Sequence, residues 1–387
     1  MIHKLLHTAD LHLSRTNHSL ILENGRNSKL EDTLKAIKQI KQIIETDSIG
    51  VLVMAGDGFQ VSRPNPTYNA VLIDLLWELV DKVALLIFIS GNHDSSPSAR
   101  YNAVETIAST FKNVQHYHFF YKEEVGKVEY QGINFVCMPH TNELRKKSAE
   151  NIAKVIQKTP NLIEPDKVNI LISHFPIDAA IHVFDESQLV TNDVSYEEIK
   201  DVFKKFDLVM LGDIHKFQKI GDNAFYSGSI IQNTFGEENE EKGVIVYNID
   251  TTDKTYEHEF KKVYSREYKT IRLENIDQHK LHKPEDYKDN IIRVKLDIND
   301  IEKMLQYDRT IKDYFSESFI VLPDFSFINK QGKIIAELSS SDIIESVVLW
   351  VKESYKKDDD IEFLVSEATD ILTKRIEAER LKELNDN

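Results

Sequence analysis

The chain has 387 residues, of which 41% are hydrophobic and 29% are charged, a composition typical of globular proteins. Its formal net charge of −16 argues against nonspecific attraction to nucleic acid, although local clusters such as Lys204-Lys205 can still contact a polyanion. No apolar run reaches the roughly 18 residues of a membrane span, and the N-terminus turns polar too soon for a secretory signal. The single cysteine, Cys137, excludes an internal disulfide and favours the cytoplasm, with its thiol buried and inert in an apolar stretch.

Apolar runs alternate with amphipathic segments up to about residue 262, which predicts an α/β fold. The predicted strands cover residues 4–9, 51–55, 84–90, 168–173 and 206–211, and the last strand of this unit is predicted at Gly243–Asp250. The predicted helices cover residues 31–47, 69–83, 149–158 and 196–205. The sequence therefore predicts a first domain at residues 1–262.

The pattern changes near residue 265, which indicates a second and smaller domain at about 266–340. Strands are predicted at 269–273, 291–298 and 319–325, with a helix at 300–314. The segment 341–387 is predicted to be helical, with an apolar stripe from Ile361 to Ile376. Such a helix either packs on its own domain or docks in a partner's groove, and the acidic stretch 358–360 before it favours the partner.

Short islands rich in Asp, His and Asn follow the predicted strands, each directly after an apolar run. They are Asp10-Leu11-His12, Gly56-Asp57, Gly91-Asn92-His93-Asp94, His174 and Gly212-Asp213-Ile214-His215. Ligands of α/β proteins collect at the carboxyl ends of strands, so we expect one convergent metal site. Two divalent ions about 3.5–4 Å apart need a bridging carboxylate, and Asp57 after the permissive Gly56 is the candidate.

The pairs Asp10 with His12 and Asp213 with His215 are each separated by one residue, so in an extended chain both members point the same way. Each island also has a simpler interpretation: a turn, a loop that caps a helix or, for His174, a hydrogen-bonded core histidine. If each island had arisen by chance, they would not all lie at the ends of predicted strands. Their combination therefore favours a metal site.

These motifs, in this order, resemble the calcineurin-like metallophosphoesterase superfamily and, within it, the SbcD-type nuclease subunits. The narrower resemblance covers about residues 1–262 and rests on residues 7–13, 91–94, 211–216, 226–230, 235–238 and 241–243. It implies a sandwich of two mixed β-sheets flanked by helices, followed by a small α+β capping domain and a helical tail.

The resemblance also implies the roles of the site residues. One ion would be held by Asp10, His12, Asp57 and His215. The second would be held by Asp57, Asn92, His174 and Asp213. His93 resembles the family's catalytic histidine beside the scissile phosphate, and Asp94 would orient it through a carboxylate–imidazole contact.

The chain departs from the family pattern at two positions. Asp213 stands where the family usually has histidine, and a third carboxylate shifts metal preference towards the harder ions Mn²⁺ and Mg²⁺ while lowering the positive charge of the site. Gln60 stands where the family has an acid, at a position that supports the site without binding metal. We expect activity to survive the change to Gln60, whereas Asp213 disfavours phosphate binding and is the feature that keeps a scaffold role open.

The implied reaction is metal-assisted hydrolysis of DNA phosphodiesters, with Mn²⁺ as the expected metal and Mg²⁺ as the alternative. The resemblance implies a 3′→5′ double-strand exonuclease and single-strand endonuclease that processes DNA ends and hairpins. It also implies a homodimer whose tail binds an SbcC-type coiled-coil ATPase, which would bind the ATP because this chain has no phosphate-binding loop motif. Two alternatives remain open: a phosphatase of the same superfamily, and a catalytically weak scaffold that recruits the ATPase.

Overall fold

The computed structural model describes residues 1–96, 101–122, 124–140, 149–181, 193–299, 303–328 and 334–339. The chain divides into two compact units, Met1–Arg266 and Glu267–Asn387. The predicted helical tail at 341–387 lies outside the described residues. Its boundary with the capping domain, and the roles of both, stay predictions.

Strands and helices alternate along the described part of the first unit. Its strands are β1 (Ile2–Thr8), β2 (Val51–Ala55), β3 (Leu85–Ile89), β4 (Tyr117–Phe120), β5 (Gly126–Tyr130), β6 (Ile133–Met138), β7 (Val168–His174), β8 (Leu208–Gly212), β9 (Gln218–Ile220), β10 (Ala224–Tyr226), β11 (Gly243–Asp250) and β12 (Thr255–Lys262). Its helices are α1 (Ser28–Thr46), α2 (Pro66–Leu79), α3 (Ala103–Thr110), α4 (Ala149–Ile156) and α5 (Tyr196–Phe203), with 3₁₀ turns at Thr159–Leu162 and Phe235–Glu237.

Two mixed sheets form the centre of this unit. The first has the order β12-β11-β1-β2-β3-β4, with β1 to β4 parallel and β11 antiparallel to its neighbours. The second has the order β5-β6-β7-β8-β10-β9, with β6, β7, β8 and β10 parallel. Strand register aligns the strand ends, because Thr8 pairs with Met54 and Ala55 with Ile89.

An apolar core fills the space between the sheets. Alternate residues of each strand face opposite sides, so Leu5 and Val53 point into this core while Leu6 and Leu52 pack against the helices α1, α2 and α3. The second sheet behaves in the same way and packs its outer face against α4 and α5. The predicted sandwich of two mixed sheets flanked by helices is therefore confirmed.

The prediction that Gly243–Asp250 is the last strand of the first unit is wrong, because Thr255–Lys262 adds a further edge strand. This strand carries Glu257, His258 and Glu259 in succession, all exposed, so it has no apolar run by which to recognise it. Edge strands need no buried face on both sides, and a search for apolar runs misses them.

The second unit has its own sheet and core. Its strands are β13 (Tyr268–Leu273), β14 (Ile291–Ile298), β15 (Ile320–Ile328) and β16 (Ile334–Ser339), with helix α6 (Met304–Tyr314) and 3₁₀ turns at Ile276–Leu281 and Pro284–Tyr287. The first three strands are parallel and β16 is antiparallel to β15. Val294, Ile311, Phe315 and Phe325 lie in the core, as expected for a small α+β unit. In the described ranges, no helix has both the length and the apolar character that crossing a bilayer requires.

The one cysteine of the chain lies on β6, inside the sandwich. Cys137 has no exposed surface, and burial raises the pKa of its thiol far above the ordinary value. A thiol that cannot ionise is a poor nucleophile and a poor metal ligand. Cys137 is therefore a core residue, as the sequence predicts.

Burial of His7 in β1 predicts acid sensitivity. Burial lowers the pKa of His7 from 6.5 to about 3, so the unfolded chain binds one more proton than the native chain between these values. Stability contributed by the neutral ring is complete above pH 6.5 and is lost as pH falls towards 3, at about 1.4 kcal/mol per pH unit. In His7→Asn, the free energy of unfolding measured by urea denaturation should lose this part of its pH slope. If the free energy of unfolding has the same pH slope in the variant and the wild type, His7 is not the source of this acid sensitivity.

Candidate metal centre

The polar islands lie together at one rim of the sandwich. The parallel strands β1, β2 and β3 of the first sheet end there, as do β7 and β8 of the second. His174, at the end of β7, places Nδ1 2.8 Å from the carbonyl oxygen of Ala55 at the end of β2. A carbonyl only accepts, so Nδ1 donates to it, and Nε2 is the atom that points towards the other candidate ligands.

Two glycines permit this close approach of the sheets. Gly56 has a φ of +94°, and a Cβ there would lie 2.2 Å from Nδ1 of His174. A Cβ on Gly212 would lie 2.1 Å from the oxygen of Ala55. The glycine before each aspartate therefore serves the packing of the rims as well as the turn of the chain.

The strand ends turn sharply and are not extended, contrary to the sequence-based expectation. Asp10, His12, Asp57 and Asp213 have φ values of 53°, 44°, 51° and 94°, in the left-handed region. Backbone pairing holds the first two islands in this conformation, because the amides of Asp10 and His12 donate to the oxygens of Gly56 and Asp57 at 3.1 and 3.0 Å. Non-glycine residues in this region are uncommon and concentrate at functional sites.

Ligand atoms converge in three overlapping clusters, in each of which they lie within 4.8 Å of one another. The clusters are Asp10 with His12 and His215, His12 with Asp57 and His93, and Asp10 with Asp57 and His174. The two oxygens of Asp57 face different histidines, with Oδ2 3.7 Å from Nε2 of His12 and Oδ1 3.5 Å from Nε2 of His174. This geometry suits a bridging carboxylate.

Asn92 and Asp213 complete the surroundings of His174. Oδ1 of Asn92 lies 3.1 Å from Nε2 of His174, and Oδ1 of Asp213 lies 3.5 Å from the same atom. The amide of Asp213 also donates to Oδ1 of Asp10 at 3.1 Å. The structure thus brings every predicted ligand to one rim, with no member left elsewhere in the fold.

Buried negative charge gives this cluster the properties of a cation site. Burial, reinforced by the charges of Asp57 and Asp213 and opposed by His174 and His215, raises the pKa of Asp10 to about 7. Burial would also raise the pKa of Asp57, but the charges of His174 and His93 outweigh it and hold that pKa far below its usual range. Here histidine charges offset the crowded carboxylates, and a divalent ion held by the same carboxylates and imidazoles would supply that positive charge instead, so the donor set fits divalent ions.

Asp94 does not make the predicted contact with His93. Its carboxylate is fully buried and accepts the amides of Phe59 and Gly91, both at 2.9 Å, so it fastens two ligand loops together. The imidazole of His93 lies against Gln60 instead, with Nδ1 3.0 Å from the backbone oxygen and 3.2 Å from Nε2 of the side chain. The contact that the resemblance implied is therefore not made, because the peptide turns the side chain of Asp94 inward.

Glu237 is a site residue that the sequence analysis did not assign. Its Oε1 lies 2.9 Å from Nδ1 of His215, which fixes a proton on Nδ1 and turns Nε2 towards Nε2 of His12, 2.9 Å away, where a metal ion would be held. Its Oε2 lies 2.6 Å from Nζ of Lys242 and accepts from Oγ of Ser229 at 3.2 Å. Burial would raise the pKa of Glu237, but Lys242 and His215 hold it far below the ordinary value. The only signal in the sequence was its place in the motif at residues 235–238.

Loss of the Glu237 charge should weaken metal binding. In Glu237→Gln we expect Mn²⁺ affinity, measured by titration calorimetry, to fall about 10–100-fold because His215 is no longer oriented by a carboxylate. Glu241→Gln is the matched control, since Glu241 forms an exposed ion pair with Lys262. Equal affinities for the two variants, with unchanged circular dichroism, would exclude this role of Glu237.

Comparison with known proteins gives a family match and two bacterial relatives. The calcineurin-like phosphoesterase family matches residues 3–217. The SbcD subunit of the nuclease SbcCD from Staphylococcus epidermidis is 31% identical over 64% of this chain and 66% of its own length, just under two thirds. Its counterpart from Staphylococcus saprophyticus is 30% identical over 65% of this chain and 68% of its own.

Among solved structures, a dimetal phosphatase from Danio rerio is 11% identical, with a TM-score of 0.38, and covers 68% of this chain and 97% of its own. That TM-score is too low to support an inference about function. The family match and the two bacterial relatives identify the family without it. The chain belongs to the calcineurin-like phosphoesterase family and is, within it, a relative of the SbcD subunit of the nuclease SbcCD.

Proposed function

We propose that this chain is a two-metal DNA nuclease that hydrolyses phosphodiester bonds at DNA ends and hairpins. Its activities would be 3′→5′ double-strand exonuclease and single-strand endonuclease. The observation that carries the proposal is the convergence of carboxylates and imidazoles from both sheets at one rim, with His93 beside them. The name of the bacterial relatives, a nuclease subunit, favours DNA over a small phosphate monoester.

The metal ligands would form two ion-binding positions that share Asp57. Asp10, His12, Asp57 and His215 would hold one ion. Asp57, Asn92, His174 and Asp213 would hold the other. The two ions, Mn²⁺ before Mg²⁺, would activate water as the nucleophile and stabilise charge on the phosphoryl oxygens.

His93 would supply the proton for the departing 3′ oxygen. Its Nδ1 lies 3.0 Å from the carbonyl oxygen of Gln60, which only accepts, so the ring donates there and exchanges its other proton at Nε2. Its backbone amide donates to Oδ1 of Asp57 at 2.9 Å, which ties the proton donor to the bridging carboxylate. A proton donor held in a fixed position is what general acid catalysis needs.

The remaining parts of the proposal rest on the family resemblance of the sequence. The second unit would cap the site and contact DNA, and the segment from Ile361 would bind the base of the coiled coil of an SbcC-type ATPase. The nuclease would act as a homodimer in DNA repair or recombination. The name of the relatives supports only the partner, because it identifies them as one subunit of a larger nuclease.

A substrate comparison tests the proposal directly. End-labelled duplex and hairpin DNA should be degraded with Mn²⁺ or Mg²⁺, with and without the ATPase, and faster than 4-nitrophenyl phosphate at equal enzyme concentration. Preference for the monoester would favour a phosphatase. Fewer than two bound Mn²⁺ per chain at saturation would favour a scaffold.

Replacing His93 should separate chemistry from metal binding. His93→Asn should lower DNA cleavage about 10²–10⁴-fold, because the proton donor is lost, while calorimetry still counts two Mn²⁺. His258→Asn, on the exposed edge strand β12, is the control. Cleavage at the wild-type rate by His93→Asn would remove this residue from the mechanism.

Replacing Asp57, unlike replacing His93, should impair metal binding itself. Asp57→Ala removes the carboxylate shared by both positions, so metal occupancy and cleavage should fall together. Metal content can be counted by mass spectrometry of the dialysed protein. Two ions retained in this variant would show that Asp57 is not the bridge.

A further inference from the structure

Arg15 is a cation beside the candidate metal centre with no acidic partner in the ranges that the structure describes. Its Nη1 lies 3.4 Å from Oε1 of Gln60, and its Nε is buried without a hydrogen-bond partner among those residues. The arginines Arg26 and Arg266 behave differently, since they pair with Glu31 and Asp32. A half-buried guanidinium with unused donors is prepared for an anion that comes from outside the chain.

The position of Arg15 is fixed by the loops that carry the candidate ligands. Its amide donates to the oxygen of His12 at 3.1 Å, after a turn in which Ser14 has a φ of 79°. The amide of Leu13 donates to Gly58 at 3.1 Å, and the amide of Gln60 donates back to Leu13 at 2.8 Å. These bonds join the two loops, so the backbone from which the Arg15 side chain extends is held in place.

Arg15, Gln60 and His93 form a continuous row. The side-chain oxygen of Gln60 faces Arg15, and its Nε2 lies 3.2 Å from Nδ1 of His93. Arg15 is therefore on the Nδ1 side of the proposed proton donor, while Nε2 is the atom that would meet the departing oxygen. The cation therefore lies behind the ring of His93, across the imidazole from the departing oxygen, where the DNA strand would continue past the proton donor.

We propose that Arg15 binds the DNA phosphate next to the scissile one, in the strand that keeps the departing 3′ oxygen. The nucleotide that keeps the departing 3′ oxygen has its own 5′ phosphate, and this is the phosphate that would lie beyond His93, at Arg15. A guanidinium can hold two phosphate oxygens at once. The assignment rests on the proposed nuclease function and gives it a second phosphate subsite.

Charge gives an independent reason for such a subsite. The centre contains the carboxylates of Asp10, Asp57 and Asp213, and the chain as a whole has a net charge of −16. Both features oppose the approach of a polyanion. Arg15 offsets part of this repulsion, because it has no acidic partner among the described residues and lies where the DNA strand would continue.

Arg15→Gln tests the subsite in the full-length protein with Mn²⁺ bound. The KM for duplex DNA should rise about tenfold, as for loss of one charge-assisted contact, with a much smaller change in kcat. The slope of log KM against log salt concentration should become shallower by about 0.9, the contribution of one phosphate contact. The ratio of kcat/KM for DNA to that for bis(4-nitrophenyl) phosphate, which has no neighbouring phosphate, should fall about tenfold.

Two further variants control the result. Arg26→Gln removes the same charge from an exposed ion pair in the following loop and should behave as wild type. Arg15→Lys retains the charge and should restore the salt slope, while KM recovers only in part because an ammonium cannot bind two oxygens in a fork.

The outcomes separate the subsite from the nuclease function. An unchanged KM and salt slope in Arg15→Gln, with wild-type DNA cleavage intact, would overturn the subsite alone. An equal loss on DNA and on the bis-ester would also overturn it, since Arg15 would then act at the scissile phosphate. No cleavage of DNA by the wild-type protein with two Mn²⁺ bound would overturn the proposed function, and the subsite with it.

Discussion

The imidazole of His174 joins the rims of the two sheets through its hydrogen bond to Ala55, and candidate ligands from both sheets lie around that junction. Neither sheet alone presents enough donors for two ions, so the site exists only while the rims remain in contact. Gly56 and Gly212 make that contact possible, because a side chain at either position would collide with the opposite rim. The packing of the sandwich and the geometry of the metal centre are therefore one requirement.

A buried polar network behind the rim completes the site. Glu237 and Lys242 have side chains that are 2% and 1% exposed, and both contact His215. Buried ions are costly unless they are paired and hydrogen-bonded. Here each charge has several partners, and the network directs one imidazole towards the ions. The segment between β10 and β11 has no metal ligand of its own. Its contacts with His215 give a reason why it carries a motif of the resemblance.

The apolar runs were sufficient to predict an α/β unit and the convergence of the ligands, because buried strands have long apolar runs and parallel strands end at one edge. The division into two packed sheets came from the family resemblance alone. The sequence was not sufficient for contacts made through loops. Glu237 meets His215 only after the chain folds back, and Asp94 turns away from its neighbour His93 towards two backbone amides. The left-handed conformations of Asp10 and His12 likewise follow from pairing with the loop at Gly56, which no local pattern encodes.

The position of the lone thiol has a practical consequence. Cys137 lies between the sheets, so a thiol reagent can reach it only when the sandwich opens. The protein therefore contains a native probe of opening that needs no added label. Since a ligand that binds only the closed form makes opening rarer, the alkylation rate across a manganese titration reports the affinity of the folded state for the ion, independently of any substrate.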